Sequence, residues 1–138
     1  MTWLTAALLA ALFAGLTAIL AKIGVEGVNS NLATAIRTIF ILFFAWAVVL
    51  WQGKFSELGA VSTKTWIFLI LSSVTTAASW LFYFYALKNG AASKVGPIDK
   101  LSLVFTVVLA ALILGEKLTF KVIGGTILMA LGAVLIAL

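Results

Sequence analysis

The sequence has 138 residues, of which 64% are hydrophobic and only 9% are charged, and its mean hydropathy is +1.27. Soluble domains carry about 25% charged residues, so this chain has too few to cover a water-facing surface. Cys and His are both absent, which excludes disulfides, thiolate or imidazole metal ligands and the usual nucleophile–base pairs. The nine basic residues are spread singly, whereas nucleic-acid-binding proteins cluster them. We therefore expect an integral membrane protein that is not an enzyme, needs no metal or other cofactor and binds no nucleic acid.

Five apolar stretches are each long enough to cross the bilayer core, which takes about 20 residues per helix. They cover residues 3–21, 32–52, 65–87, 95–115 and 118–138. None of them alternates apolar and polar residues as the strands of a membrane barrel do. The expected fold class is an all-α integral membrane protein, with five transmembrane helices forming a single domain over residues 1–138.

The basic residues are divided almost evenly between the two sides of the membrane that five spans define. The side of the first residue carries Lys54, Lys64, Lys117 and Lys121, and the opposite side carries Lys22, Lys88 and Lys94. Arg37 and Lys100 lie just inside the membrane on that opposite side. Orientation is normally set by an excess of Lys and Arg in cytoplasmic loops, and here there is almost none. The balance predicts dual topology, in which the chain inserts both ways and pairs with an inverted copy; a single orientation fixed by one or two residues is the alternative.

Hydroxyl side chains recur at helical spacing in two of the spans. The third span has four hydroxyl side chains at steps of 4, 3 and 4, which places them on one face of the helix, beside Trp80: Ser72, Thr76, Ser79 and Tyr83. In the fourth span, Asp99, Ser102 and Thr106 follow steps of 3 and 4. We expect the two stripes to line a shared polar cavity, although a membrane hydroxyl can also be satisfied by a carbonyl of its own helix and serve packing alone.

Arg37, Asp99 and Lys100 are charged residues within predicted spans. Such a charge costs about 2.5–3.5 kcal/mol at the bilayer centre, so it usually faces a partner or a cavity. Asp99 is therefore expected to contact Arg37 or Lys100, and Asp99 and Lys100 are candidates for a coupling role. Snorkelling of Arg37 and Lys100 to the head groups is the alternative. Pro97 is predicted at the first position of a helix, which places Asp99 in the first turn. The helix dipole stabilises an anion there, so a proton-carrier role for Asp99 is the less favoured interpretation.

Several segments from Trp80 onward carry a family resemblance. They are YALKNGAASKV, the GPIDKLS start of the fourth span, and GEKLT followed by IGG and a last helix rich in small residues. Together with the five spans they resemble an EamA domain of the drug/metabolite transporter superfamily. The resemblance implies one half of the usual tandem ten-span arrangement, as in the five-span branch from bacteria and archaea, and a location in the plasma (inner) membrane. A lone unit of this kind would pair with an inverted copy as a homodimer, with the substrate site near the midplane.

The function expected on this basis is export of small metabolites such as amino acids, or of drugs, by alternating access. The small multidrug resistance branch has an essential Glu in its first span, whereas no acid lies between Met1 and Ala21 here. A neutral, zwitterionic or anionic substrate therefore fits better than an organic cation. The expected substrate-binding residues are Arg37, Ser72, Thr76, Ser79, Trp80, Tyr83, Asp99, Ser102 and Thr106. Two alternatives are a flippase for a lipid-linked carrier, with Lys88, Lys94 and Lys100 near the phosphate, and a non-transporting accessory subunit.

Overall fold

The computed structural model describes residues 1–138 and contains helices and no strand. Six α-helices are present: α1 (Trp3–Gly24), α2 (Ser30–Trp51), α3 (Thr63–Asn89), α4 (Ala92–Asp99), α5 (Ser102–Ile113) and α6 (Phe120–Ala137). A 3₁₀-helix, Phe55–Ala60, lies between α2 and α3. By length and composition, α1, α2, α3, α6 and the joined segment Ala92–Ile113 can each cross a membrane. The expectation of an all-α membrane protein with five spans is confirmed.

The ends of these helices are set by capping residues more than by where the apolar runs begin. The Asn29 side chain accepts hydrogen bonds from the backbone N–H groups of Asn31 and Leu32, so α2 starts at Ser30, two residues before the predicted boundary. The Thr119 hydroxyl accepts a hydrogen bond from the N–H of Val122, so α6 begins at Phe120, two residues later than predicted.

The C-terminus of α2 closes in a Schellman motif. Gly53 has a φ of 66°, in the left-handed region that favours glycine. Its N–H donates to the carbonyl oxygen of Leu50, and the N–H of Lys54 donates to the carbonyl oxygen of Val49. The chain therefore leaves α2 in a defined direction before the 3₁₀-helix begins.

The fourth span is broken, which corrects the prediction of one continuous helix over residues 95–115. It starts at Ala92, and α4 ends at Asp99; Lys100 and Leu101 then form a turn before α5. Around this turn the N–H groups of Lys100 and Leu101 bond to carbonyl oxygens three residues earlier. Pro97 lies inside α4 rather than at its first position, and it lacks the N–H that would continue the regular hydrogen-bond pattern.

The contacts divide the chain into two compact units. In the unit Ala21–Lys88 the buried side chains lie where α1 ends, α2 begins and α3 ends: Ala21, Val25, Ser30, Thr34, Phe84 and Leu87. In the unit formed by Met1–Leu20 and Asn89–Leu138, α6 contacts both α4 and α5, and Ala133 is buried. Large apolar side chains are exposed along every span. In a membrane protein such surfaces face lipid or another protein.

Two lysines hold the packed end of the unit Ala21–Lys88 together. The Lys22 Nζ donates a hydrogen bond to the carbonyl oxygen of Leu87 at 2.7 Å. In return, the Lys88 Nζ donates to the carbonyl oxygen of Val28 at 2.8 Å. Because carbonyl groups near the end of a helix lack partners within it, the Lys22 bond also satisfies the C-terminus of α3.

Candidate functional site

A cleft of about 530 Å³ opens between α2 and α3, within the unit Ala21–Lys88. Polar side chains from both helices line it: Asn31, Thr34 and Thr38 from α2, and Ser72, Ser73 and Thr76 from α3. Trp80 adds an indole, and the remaining walls are apolar: Ala35, Ile41, Leu42, Ala45, Leu69, Ala77 and Leu81. A mostly apolar cleft with a few polar groups is typical of a small-molecule site.

Four of the five hydroxyl groups along the cleft donate their protons to their own helices. The Thr34 and Thr38 hydroxyls donate to the carbonyl oxygens of Ser30 and Thr34, at 2.9 and 2.8 Å. On α3, the Ser73 hydroxyl donates to the carbonyl oxygen of Ile70 at 2.8 Å. A hydroxyl used in this way keeps its oxygen lone pairs as acceptors. The cleft can therefore accept hydrogen bonds from a ligand without losing a bond within the protein.

The structure separates the predicted stripe of the third span. Ser72, Thr76 and Trp80 line the cleft, whereas Ser79 and Tyr83 do not. The lining face of α3 is turned around the helix axis toward Ser73, Ala77 and Leu81, away from the line that joins Ser79 and Tyr83. Tyr83 contacts the ring of Phe84, with ring centroids 6.4 Å apart, and its phenol interacts electrostatically with Arg37.

Sequence reasoning missed the contribution of α2. Asn31, Thr34 and Thr38 follow steps of 3 and 4, the same spacing that identified the stripes in the third and fourth spans. The signal was therefore present, and a search for polar periodicity in every span would have found it. Ser73 was missed for a different reason, since it lies one residue away from the predicted stripe.

Arg37 lies beside the cleft, against one of its walls. Its guanidinium carbon is 4.4 Å from the centroid of the Trp80 ring and 5.5 Å from that of Phe84. Because α2 begins at Ser30, Arg37 is about 10 Å along a helix of about 33 Å, farther in than expected from the apolar run. The side chain forms no ion pair and no hydrogen bond with the protein. Two aromatic rings hold it in place.

The charged residues of the fourth span lie at its break. The Lys100 Nζ is 3.2 Å from the Asp99 Oδ2, so the expected Lys100–Asp99 contact is present. The expectation that Asp99 lies in the first turn of a helix is wrong, because Asp99 is the last residue of α4. At the end of a helix the dipole disfavours an anion, so α4 does not stabilise the Asp99 carboxylate as the prediction assumed.

The second predicted stripe crosses this break. Ser102 is the first residue of α5, and the Thr106 hydroxyl donates to the carbonyl oxygen of Ser102 at 2.9 Å. The steps of 3 and 4 predicted one continuous helical face for Asp99, Ser102 and Thr106. This prediction is wrong, because Asp99 lies on α4 and the other two residues lie on α5.

Comparison with known proteins identifies the family. The sequence profile of the EamA-like transporter family matches residues 1–138. The chain belongs to the EamA-like transporter family. It is 46% identical over 136 residues to a Sinorhizobium protein called an uncharacterized transporter in the cobO 3' region, covering 99% of this chain and 96% of that one. An uncharacterized protein of Methanocaldococcus jannaschii is 31% identical over 85 residues, or 62% of each chain. No solved structure matches the chain significantly.

This EamA-family chain is thus a multi-pass membrane transporter. The resemblance inferred from the YALKNGAASKV, GPIDKLS and GEKLT segments is confirmed by the match over the whole sequence.

Proposed function

We propose that the protein exports small metabolites, such as amino acids, or drugs, by alternating access. The observation that carries this proposal is the cleft between α2 and α3, which has hydroxyl acceptors on both walls. Its volume of about 530 Å³ falls within the range of small-molecule pockets, about 300–1,000 Å³. We place the transporter in the plasma (inner) membrane of a bacterium or archaeon, because the five-span branch that it resembles is bacterial and archaeal.

The transporting unit in this proposal is an antiparallel homodimer. The almost even division of Lys and Arg between the two sides supports insertion in both orientations. Inverted repeats place the substrate near the midplane, between the repeats, so each copy would supply one such cleft to a central pathway. The exposed apolar side chains along the spans leave room for both lipid and a second copy.

Nine residues form the proposed substrate path: Arg37, Ser72, Thr76, Ser79, Trp80, Tyr83, Asp99, Ser102 and Thr106. Ser72, Thr76 and Trp80 have the strongest support, because they line the cleft. Asp99 and Lys100 are proposed to take part in coupling, since their ion pair lies at the broken part of a span. Discontinuous helices of this kind form ion and substrate sites in other secondary transporters.

The flippase alternative gains no support from the three lysines that it requires. The Lys88 Nζ donates to the carbonyl oxygen of Val28 at 2.8 Å, and the Lys94 Nζ donates to that of Ala137 at 3.4 Å. Lys100 is paired with Asp99. A lipid phosphate would have to displace each of these interactions, and this favours a soluble metabolite as the substrate.

The inverted dimer is tested by locating the C-terminus with paired reporters, one active only in the cytoplasm and the other only outside it. Dual topology predicts activity from both fusions. Activity from one fusion alone would contradict the antiparallel homodimer and would point to a parallel dimer or a partner of opposite orientation.

Transport itself is tested in proteoliposomes loaded with a mixture of the twenty amino acids. Efflux of a subset of them, measured by mass spectrometry against protein-free liposomes, is the expected result. An accessory subunit would show no efflux, and it would tolerate apolar replacement of Ser79, Tyr83 and Asp99 with a gain in thermal stability.

A further inference from the structure

Arg37 carries a positive charge that no carboxylate in its own unit neutralises. It is the only charged residue of α2, and α3 is charged only near its two ends, at Lys64 and Lys88. The carboxylates of this unit, Glu26 and Glu57, lie in the connections rather than on these two helices. No hydrogen bond or ion pair satisfies the Arg37 guanidinium. A cation at this position in a span is expected to have an anionic partner.

The contact of Arg37 with Trp80 leaves its N–H groups without an oxygen acceptor. The guanidinium carbon lies over the Trp80 ring, 4.4 Å from its centroid, in a cation–π contact that needs no N–H···O hydrogen bond. The N–H groups point outward in the guanidinium plane, and two of them can hold an oxyanion in bidentate geometry. Stacking on Trp80 and Phe84 also restricts the side chain before a ligand arrives, which lowers the entropic cost of binding.

We infer that Arg37, stacked on Trp80, binds the oxyanion of a ligand at the α2–α3 cleft, so the solute carries a carboxylate or a comparable oxyanion. Trp80 connects the two features, because its ring lines the cleft and also carries the guanidinium. Thr38 and Thr76 line the same cleft and offer acceptors to the rest of the molecule. The inference rests on the proposed function, which brings a solute to this cleft; the head group of an anionic lipid presents the same chemistry.

The test uses three probes with a six-carbon acyl chain and the purified full chain in phosphatidylcholine nanodiscs. Hexanoate and norleucine carry a carboxylate, whereas norleucine methyl ester does not. Calorimetric titration is expected to show binding of the first two, with the ester at least tenfold weaker. Arg37→Gln should lose at least tenfold in affinity for hexanoate. Arg37→Lys should recover only part of it, because an ammonium group lacks the planar fork. Lys117→Gln, which removes one positive charge from the α5–α6 connection, is the matched control and should bind as the unaltered protein does.

The source of the oxyanion is separated by lipid composition. If a head group occupies the site, phosphatidylglycerol will raise the Tm of the unaltered protein but not that of Arg37→Gln, and it will compete with hexanoate. Hexanoate binding that is indifferent to phosphatidylglycerol identifies a soluble anion. Should Arg37→Gln fail to fold, Trp80→Leu takes its place, because it removes the ring that the guanidinium contacts and is expected to weaken hexanoate by a larger factor than the ester.

The inference is overturned if neither the carboxylate probes nor phosphatidylglycerol gives an effect that depends on Arg37 or Trp80. That failure is distinct from failure of the proposed function. Amino-acid efflux without Arg37-dependent binding would contradict only the oxyanion site at Arg37. Arg37-dependent binding without efflux would contradict the proposed export function and support the oxyanion site.

Discussion

The Thr76 hydroxyl donates to the carbonyl oxygen of Ser72 at 2.8 Å, one turn earlier on α3. Its proton is used within the helix, while its oxygen lines the cleft between α2 and α3. Thr126 on α6 forms the same bond to the carbonyl oxygen of Val122, also at 2.8 Å. Thr126 does not line that cleft. The two threonines thus form the same hydrogen bond within their helices, but only Thr76 lines the cleft.

Thr76→Val should weaken substrate binding because it removes an acceptor from the cleft while keeping the shape of the side chain. A neutral hydrogen bond contributes about 0.5–1.5 kcal/mol, so the expected loss in affinity is roughly two- to tenfold. The measurement is the concentration dependence of amino-acid efflux from proteoliposomes. Thr126→Val is the control and should change neither the apparent affinity nor the maximal rate. Equal behaviour of the two variants would assign Thr76 to helix packing.

Filling the cleft should block transport. Ala77 lines the cleft, and its neighbour Ala78 does not, although both belong to α3 and both are exposed. Ala77→Leu adds three carbon atoms to the wall and is expected to lower the efflux rate at least tenfold. Ala78→Leu adds the same volume on another side of the helix and should leave at least half of the rate. A larger loss in Ala78→Leu than in Ala77→Leu would place the substrate path elsewhere.

Asp99→Asn should lower transport far more than Glu57→Gln. Removal of the Asp99 carboxylate leaves the Lys100 ammonium without its ion-pair partner inside a span, where an unpaired charge is costly. Glu57 pairs with Lys54 in the exposed connection after α2, where such a pair contributes about 0.2–1 kcal/mol. We expect efflux to fall at least tenfold in the first variant and less than twofold in the second. Similar rates in the two variants would argue against a role for Asp99 in coupling.

Lys22→Met should destabilise the packed end of the unit Ala21–Lys88. It removes the donor to the Leu87 carbonyl oxygen but keeps an apolar stem of similar length. Hydrogen bonds that involve a charged group contribute about 1.5–3 kcal/mol, so we expect a lower Tm in detergent. Lys54→Met removes an exposed lysine from the opposite end of α2 and should shift the Tm by a much smaller amount. An unchanged Tm in Lys22→Met would mean that apolar packing of Val25 and Leu87 is sufficient.

The five spans could be predicted from sequence because the length of an apolar run is a local property. Their ends were displaced by up to three residues; the starts of α2 and α6 moved by two, since capping by Asn29 and Thr119 depends on side-chain geometry that hydropathy does not record. The break after Asp99 was missed for a related reason. Once α4 begins at Ala92, Pro97 falls inside a helix instead of opening one.

The candidate site could be predicted only in part. Periodicity identified Ser72 and Thr76 as polar groups on one face of a helix, but it does not say how far that helix is rotated toward its neighbour. Ser79 and Tyr83 therefore fell outside the cleft. The stacking of Arg37 on Trp80 joins two spans, and no spacing within either span contains that information.

The hydrogen bond between Lys22 and Leu87 can form only after the ribosome has synthesised the third span. The two residues are 65 positions apart. At a synthesis rate of about 5–20 residues per second, the acceptor follows the donor by about 3–13 s. During that interval α1 and α2 must wait in the translocon or in lipid without the helix that completes their packed end. Anything that delays the third span, such as a rare codon or a stalled ribosome, prolongs the period in which the nascent chain is open to proteolysis.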